Sequence, residues 1–409
     1  VKKLFAVTLG ILTAIGGFVD IGDFVASSQA GARFGMSLAW VLVVGVVGIC
    51  AYAEMAGRVT AISDRAVFDL VRERLGPRVA LVNLVAAFLV TLITLGAEMG
   101  GVALALELAT SVNYLLWVPV VGIVLWVVLW RLRFQTLERI FGVAGLTLAV
   151  FLVALAHLGP DWHGMWQQAS RPVPTGGEDW LTYGYFAVAL FASALTPYEV
   201  FFFSSGAVEE RWGPAELSTM RANVLVGFPV GGLLSLGIMA TATTVFQPLR
   251  VQLTSVGQAA LPVALGLGKL GLAAVILGVF AATFGAAMET GLSSAYTVSQ
   301  YFGWQWGKLV APRQAARFHT LILVSVLVAV LLLFTTVDPV QLTEFMLVFS
   351  AFILPLTYLP ILVIANDHEY LGEYVNGWFT NTIGTVFLIV IVIAAVAAIP
   401  LMIITEMGG

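Results

Sequence analysis

The sequence predicts an all-α polytopic membrane protein with eleven transmembrane helices, the first and sixth broken near mid-span. Three observations predict it. The 409 residues are 60% hydrophobic and only 10% charged, with a mean hydropathy of +0.99, a balance foreign to soluble globules of this size. Apolar stretches of about 20 residues, the length that crosses a bilayer, recur along the chain. Two of them are interrupted by acids beside Gly or Pro, at Asp20-Ile21-Gly22-Asp23 and Thr196-Pro197-Tyr198-Glu199.

The expected segments run, in order, at 4–34 (broken), 37–57, 79–110, 116–130, 138–158, 181–207 (broken), 220–246, 269–301, 317–335, 341–365 and 379–405. Lys2 and Lys3 before an apolar run imitate a signal peptide. The run ends in Asp20 without a small-residue cleavage pattern, so it reads as the first membrane segment. Asp64 to Arg74 has helical periodicity and mixed charge, which predicts a short helix at the membrane surface. The loop at 159–180 is rich in Trp and Pro and reads as an interfacial anchor. Neither this loop nor 58–78 is long enough to fold alone. The expected organisation is therefore one transmembrane domain over 1–409. It comprises a first repeat at 1–158, a second at 181–365 and an added helix at 379–405.

Charge placement sets the expected orientation. With the N-terminus cytoplasmic, only Arg33, Arg171, Arg250 and Lys269 of the 19 basic residues fall outside, as the positive-inside rule requires. Cys50 is the single cysteine and lies mid-span, which excludes an internal disulfide.

Asp20, Asp23, Glu98, Glu199 and Glu289 fall well inside the expected spans, and no Lys or Arg lies comparably deep. Carboxylates in hydrocarbon are costly and mark ion or substrate pathways. Their missing counter-charge must come from protons or a bound cation. Broken helices at matching places in two halves of a chain point to a transporter's substrate site. Several carboxylates around one point suit a divalent ion. Thr196 and Tyr198 carry hydroxyls that serve equally as helix caps or as partners for an ion's waters. A single mid-span acid is often a protonated structural residue, and Glu98 and Glu289 fit that reading as well as a functional one. His157, His163, His319 and His368 lie at span ends or in loops, so none offers a midplane ligand. Gly291-Leu292-Ser293-Ser294 reads as a helix–helix contact rather than a ligand.

At these residues the chain resembles the Nramp family of divalent metal transporters. Asp20-Ile21-Gly22-Asp23, followed by Ser28-Gln29-Ala30-Gly31, is similar to the family's Asp-Pro-Gly-Asn break. Thr196-Pro197-Tyr198-Glu199 stands where the family has Met-Pro-His-Asn. Leu371-Gly372-Glu373-Tyr374-Val375-Asn376, with Pro355 and Pro360 upstream, also looks familial. The resemblance implies the LeuT-type fold, an inverted 5+5 repeat working by alternating access. It also implies that Asp20 keeps the metal-binding aspartate, while Asp23 replaces an asparagine, Thr196 a methionine and Tyr198 a histidine. Phe203, Leu95 and Leu347 stand where many members carry a second histidine, a proton-path aspartate and a metal-binding glutamine.

Soft and imidazole ligands are thus lost and oxygen ligands gained, which favours a hard ion. Mg²⁺ dehydrates reluctantly and needs few direct protein ligands. The pattern resembles the prokaryotic Nramp-related magnesium transporter branch. The expected function is transport of hydrated Mg²⁺, and also Mn²⁺, without proton coupling. Asp20, Asp23, Thr196, Tyr198 and Glu199 are the expected metal residues, with the Ser193 carbonyl as an accessory. The chain is expected not to be an enzyme and to need no cofactor, nucleic acid or obligate protein partner. Its expected surroundings are the lipid bilayer of a bacterial inner membrane, with the N-terminus cytoplasmic. The alternatives are a proton-coupled Mn²⁺/Fe²⁺ transporter and an organic-solute symporter, such as an amino-acid carrier, on the same fold.

Overall fold

The structure, a computed structural model, describes residues 18–131, 134–175, 177–335 and 337–408. Lys2, Lys3 and the 4–17 part of the first expected segment lie outside the described residues. All regular elements among the described residues are helices.

The first helix, α1 (Ile21–Phe34), starts where Asp20 leaves helical geometry and its side chain accepts the Asp23 N–H. A 3-10 turn at Gly35–Leu38 separates α1 from α2 (Ala39–Ser63). Gly35 makes that turn with φ 59. Together they span 43 residues, about 65 Å if continuous, which is twice the hydrocarbon thickness. The turn is what lets the chain reverse. The predicted surface helix is α3 (Val67–Leu75), and α4 (Pro77–Thr110) follows with Pro at its first position, where no N–H is needed.

Next come α5 (Tyr114–Arg131), α6 (Phe134–Gly145) and α7 (Val150–Leu158), the last two joined through a 3-10 turn into one span. A short helix, α8 (Trp162–Ala169), occupies the expected loop, capped by Asp161 on the Gly164 N–H. The second broken span is α9 (Trp180–Ser193) and α10 (Pro197–Glu209). Then follow α11 (Leu217–Val245), α12 (Val256–Phe302), α13 (Ala316–Leu333), α14 (Pro339–Ile364), α15 (His368–Leu371) and α16 (Trp378–Ile404).

Ten stretches among the described residues are long and apolar enough to cross a membrane. The first of them holds both α1 and α2, so all eleven expected spans are represented. The segment expected to begin at 269 does so, within a longer helical stretch that starts at Val256. Gly268, at φ 64 and ψ −151, bends α12 there, and the residues before the bend form a further helical stretch.

Prolines inside spans leave carbonyls without their helical donor, and neighbouring helices supply one. Pro360 leaves the Leu356 carbonyl open, and Asn83 Nδ2 of α4 donates to it at 2.6 Å. The Leu195 carbonyl, freed at the second break, accepts the Tyr358 hydroxyl at 3.1 Å. Tyr52 and Tyr358 pack edge to face at 4.7 Å in the core. The Ser294 hydroxyl meets Ser325 on α13 at 3.0 Å, the helix–helix contact the small-residue run predicts. α1 packs on α11 and α14, and α10 packs on α2 and α12, which brings the two breaks together.

Candidate functional site

Both breaks are helix starts, and a helix start presents unpaired N–H groups and a positive dipole end. At the first break, Asp20 Oδ1 accepts the Asp23 N–H at 2.8 Å. The Ile21 N–H points instead at Glu98 on α4, 3.3 Å from each carboxylate oxygen. At the second break, Thr196 is the residue before α10, and Glu199 lies in the helix's first turn. The Thr196 hydroxyl does not cap the helix backbone. It donates to Glu199 Oε2 at 3.4 Å.

One hydrogen bond ties the breaks directly: the Tyr198 hydroxyl donates to Asp20 Oδ2 at 3.3 Å. The Tyr198 carbonyl is held by Ser293 Oγ of α12 at 3.1 Å. Asp20, Tyr198, Thr196 and Glu199 are all buried. Glu199 Oε1 is buried without a hydrogen-bond partner. Among the described residues, no Lys or Arg pairs with Asp20, Asp23, Glu98 or Glu199.

The structure brings Asp20, Thr196, Tyr198 and Glu199 to the junction of the breaks and holds Asp23 at its edge, beside Ser193 of the second broken span. Asp23 begins in the same turn, and its carboxylate accepts the hydroxyls of Ser27, at 3.4 Å, and Ser235 of α11, with the Ser193 hydroxyl also beside it. Ser193 sits at the end of α9, its hydroxyl on the Leu190 carbonyl at 2.9 Å. Glu289 is half-buried on α12, within electrostatic reach of Glu98 and Tyr198. Among the described residues, no three His, Cys, Asp or Glu side chains gather closely enough to cage an ion. The donors at the junction are carboxylates and hydroxyls, which suit a hard cation that keeps part of its water.

Sequence reasoning missed Met346 of α14. A Cβ placed on Gly22 would lie 2.7 Å from Met346 Cε, 3.1 Å from Asp20 Oδ1 and 3.1 Å from Leu347 Cδ2. Gly22 has no positive φ, so its lack of a side chain answers this close approach rather than a backbone need. A thioether therefore sits beside the first break, although Thr196 offers none at the second. Leu347 does face the first break, as the family register implies. No local signal distinguishes Met346 from any other apolar residue of its span.

The C-terminal half of α1 is pinned. Gln29 Nε2 donates to Glu344 Oε1 of α14 at 2.8 Å, and Arg33 pairs with Glu178 at 2.9 Å.

Comparison with known proteins places the chain among relatives along nearly its whole length. The family model described as Nramp, natural resistance-associated macrophage protein-like, matches residues 10–400. The divalent metal cation transporter MntH of Aeromonas hydrophila is 24% identical over 402 residues, which cover 95% of this chain and 94% of that protein. MntH of Deinococcus radiodurans is 24% identical over 397 residues, 92% of this chain and 85% of the relative. Among solved structures, the Eremococcus coleocola manganese transporter superposes with a TM-score of 0.72 at 17% identity, covering 96% of this chain and 85% of that one. Mhp1, a nucleobase-cation-symport-1 family transporter in a closed conformation, gives 0.58 at 18% identity, covering 96% and 91%. These two likenesses concern the fold.

Proposed function

The chain belongs to the Nramp family, and we propose that it carries divalent metal ions across a bacterial plasma membrane by alternating access, with hydrated Mg²⁺ as its main cargo and Mn²⁺ as a second. The observation that carries the reading is the set of buried carboxylates at the two breaks without a basic partner, with Glu199 Oε1 unsatisfied. Buried charge needs compensation, and a dication at the junction provides it. The names of the MntH relatives support divalent metal as the cargo class.

Asp20 contacts the ion directly or through one water. Glu199, Thr196 and Tyr198 hold its hydration shell. Asp23 joins when its carboxylate leaves Ser235. Mg²⁺ is favoured by the oxygen donors and by the lack of a dense ligand cage among the described residues. The N-terminus is cytoplasmic, and the chain is one domain, with repeats at 1–158 and 181–365 and a further helix at 379–405. An inside-negative potential drives entry by about 2.3 kcal/mol per charge per 100 mV, twice that for a dication, so no proton gradient is required.

A second reading, Mn²⁺ as the main cargo, draws on the manganese transporter neighbour and on the Met346 thioether beside Gly22. Flux into proteoliposomes separates the two. Millimolar Mg²⁺ should compete fully with Mn²⁺ uptake. Mn²⁺ uptake that ignores Mg²⁺ makes manganese the cargo. Metal-linked acidification of the lumen removes the uncoupled mechanism. Concentrative uptake of an amino acid without metal flux removes metal transport altogether.

A further inference from the structure

A groove of about 570 Å³ opens on the protein surface between α2, α11 and α16, beside the 372–377 loop. None of Asp20, Asp23, Thr196, Tyr198 and Glu199 lines it. Val47, Leu225 and Ile383 line its apolar length. Val47 and Leu225 are exposed although they belong to membrane spans, so lipid chains are what they meet.

The other end of the groove is polar and carries both signs of charge. Arg58 forms its floor and is fully occupied, by Glu54 at 3.1 Å, by Asn376 Oδ1 at 2.6 Å and by the Tyr374 carbonyl. Arg221 is not. Its Nε donates to Glu54 Oε1 at 3.0 Å, its side chain is 50% exposed, and its two Nη nitrogens have no partner among the described residues. Glu373, which also lines the groove, is exposed and likewise has no hydrogen bond or ion pair among the described residues. A free guanidinium edge matches a phosphate. A free carboxylate matches an ammonium that still has N–H groups to donate, which a quaternary ammonium lacks.

We propose that this groove binds one phospholipid with a zwitterionic, primary-amine headgroup. Its phosphate sits on the Arg221 guanidinium, its ammonium on Glu373, and an acyl chain runs along Val47, Leu225 and Ile383. The site involves none of the residues assigned to the transported ion, so it stands or falls apart from that assignment. Basic pockets between spans at a membrane face are where headgroups are held. Here the adjacent acid selects among headgroups.

Native mass spectrometry of the full-length protein, delipidated in detergent and titrated with phosphatidylethanolamine, phosphatidylglycerol or phosphatidylcholine, tests the proposal. Wild type should retain one phosphatidylethanolamine roughly tenfold better than phosphatidylcholine, the scale of one charge-assisted hydrogen bond. Arg221→Gln should lose this lipid and phosphatidylglycerol alike. Glu373→Gln should lose only the preference for the amine headgroup. Leu225→Trp should block retention of all three, with an unchanged thermal midpoint confirming that the variant is folded. Equal retention of all three lipids by wild type, or wild-type retention by Arg221→Gln, reduces the groove to ordinary annular contact and overturns the site. An unaltered preference in Glu373→Gln overturns the headgroup assignment. Tight binding of soluble phosphoethanolamine in place of the lipid overturns the membrane source.

Discussion

Glu54 and Glu199 are the same residue on neighbouring helices, and the protein treats them oppositely. Glu54, near the membrane face, meets Arg58 at 3.1 Å and Arg221 at 3.0 Å. Glu199, at the second break, has one hydroxyl at 3.4 Å and one bare oxygen. The chain can place arginine beside a glutamate and does so where the acid is structural. Where the acid stands beside a helix break, no Lys or Arg among the described residues is placed beside it. A partly exposed acid with its bases has its charge balanced within the fold, whereas a buried acid without one needs a proton or a cation.

The sharpest way to break this contrast is at Asp20, which joins the two breaks through Tyr198. Asp20→Ala should abolish Mg²⁺ and Mn²⁺ flux in proteoliposomes, beyond the roughly 10–100-fold that loss of an outer-shell partner costs a metal site. Retained flux removes Asp20 from the path.

Exchanging the two glutamates' roles comes next. Glu54→Ala leaves buried Arg58 with only neutral partners and should destabilise the fold by about 3 kcal/mol, read as a lower thermal midpoint. Glu199→Gln should leave the midpoint equal or higher while flux falls, because it removes an uncompensated charge. If both variants lose stability equally, the distinction between balanced and uncompensated acids is wrong.

Selectivity sharpens the comparison on a finer scale. Thr196→Met should shift competition toward Mn²⁺ and Cd²⁺ over Mg²⁺ by roughly tenfold, since thioether sulfur prefers softer metals. Met346→Leu should weaken Cd²⁺ inhibition while sparing Mg²⁺ uptake. Unchanged Cd²⁺ inhibition would make Met346 packing alone.

The smallest effect lies outside the membrane, in α3. Burial pushes the Asp69 carboxyl from its ordinary 3.8 up to about 6, against the pull of Arg65 and Arg72. The folded state then holds this proton more tightly than the unfolded one. The resulting stabilisation is complete below the unfolded pKa and is lost as pH rises through about 6. Asp69→Asn should therefore gain on wild type in thermal midpoint as pH is raised across that window. A constant difference would remove Asp69 from the pH dependence.

The breaks were legible because a helix that fails in hydrocarbon needs Gly or Pro and a polar neighbour, and these are adjacent in sequence. The surface helix α3 was legible from its periodicity. The helix α8 was not, because its eight residues lie in a Pro- and Gly-containing loop, although Trp162, Met165, Trp166 and Ala169 fall at helical spacing and Asp161 caps Gly164. The span start at 269 was legible, and Gly268 leaves helical geometry just before it; the helical stretch that precedes it from Val256 was not. Asp23 was expected at the ion because it shares a turn with Asp20. Its partner Ser235 lies 212 residues away, and no local rule ties the two.

Hydropathy, helix failure and the count of mid-span acids follow from residues near one another along the chain, because backbone hydrogen bonding and transfer into lipid are local and nearly additive. By itself, then, the sequence determined the spans, the two breaks and the surplus of negative charge. Tertiary structure decided which oxygen would be spent on a hydroxyl and which left bare, and brought Tyr198 to Asp20 and Met346 to Gly22. Hydrogen bonds and dispersion act over a few ångströms in space, so such pairings exist only once the helices have packed.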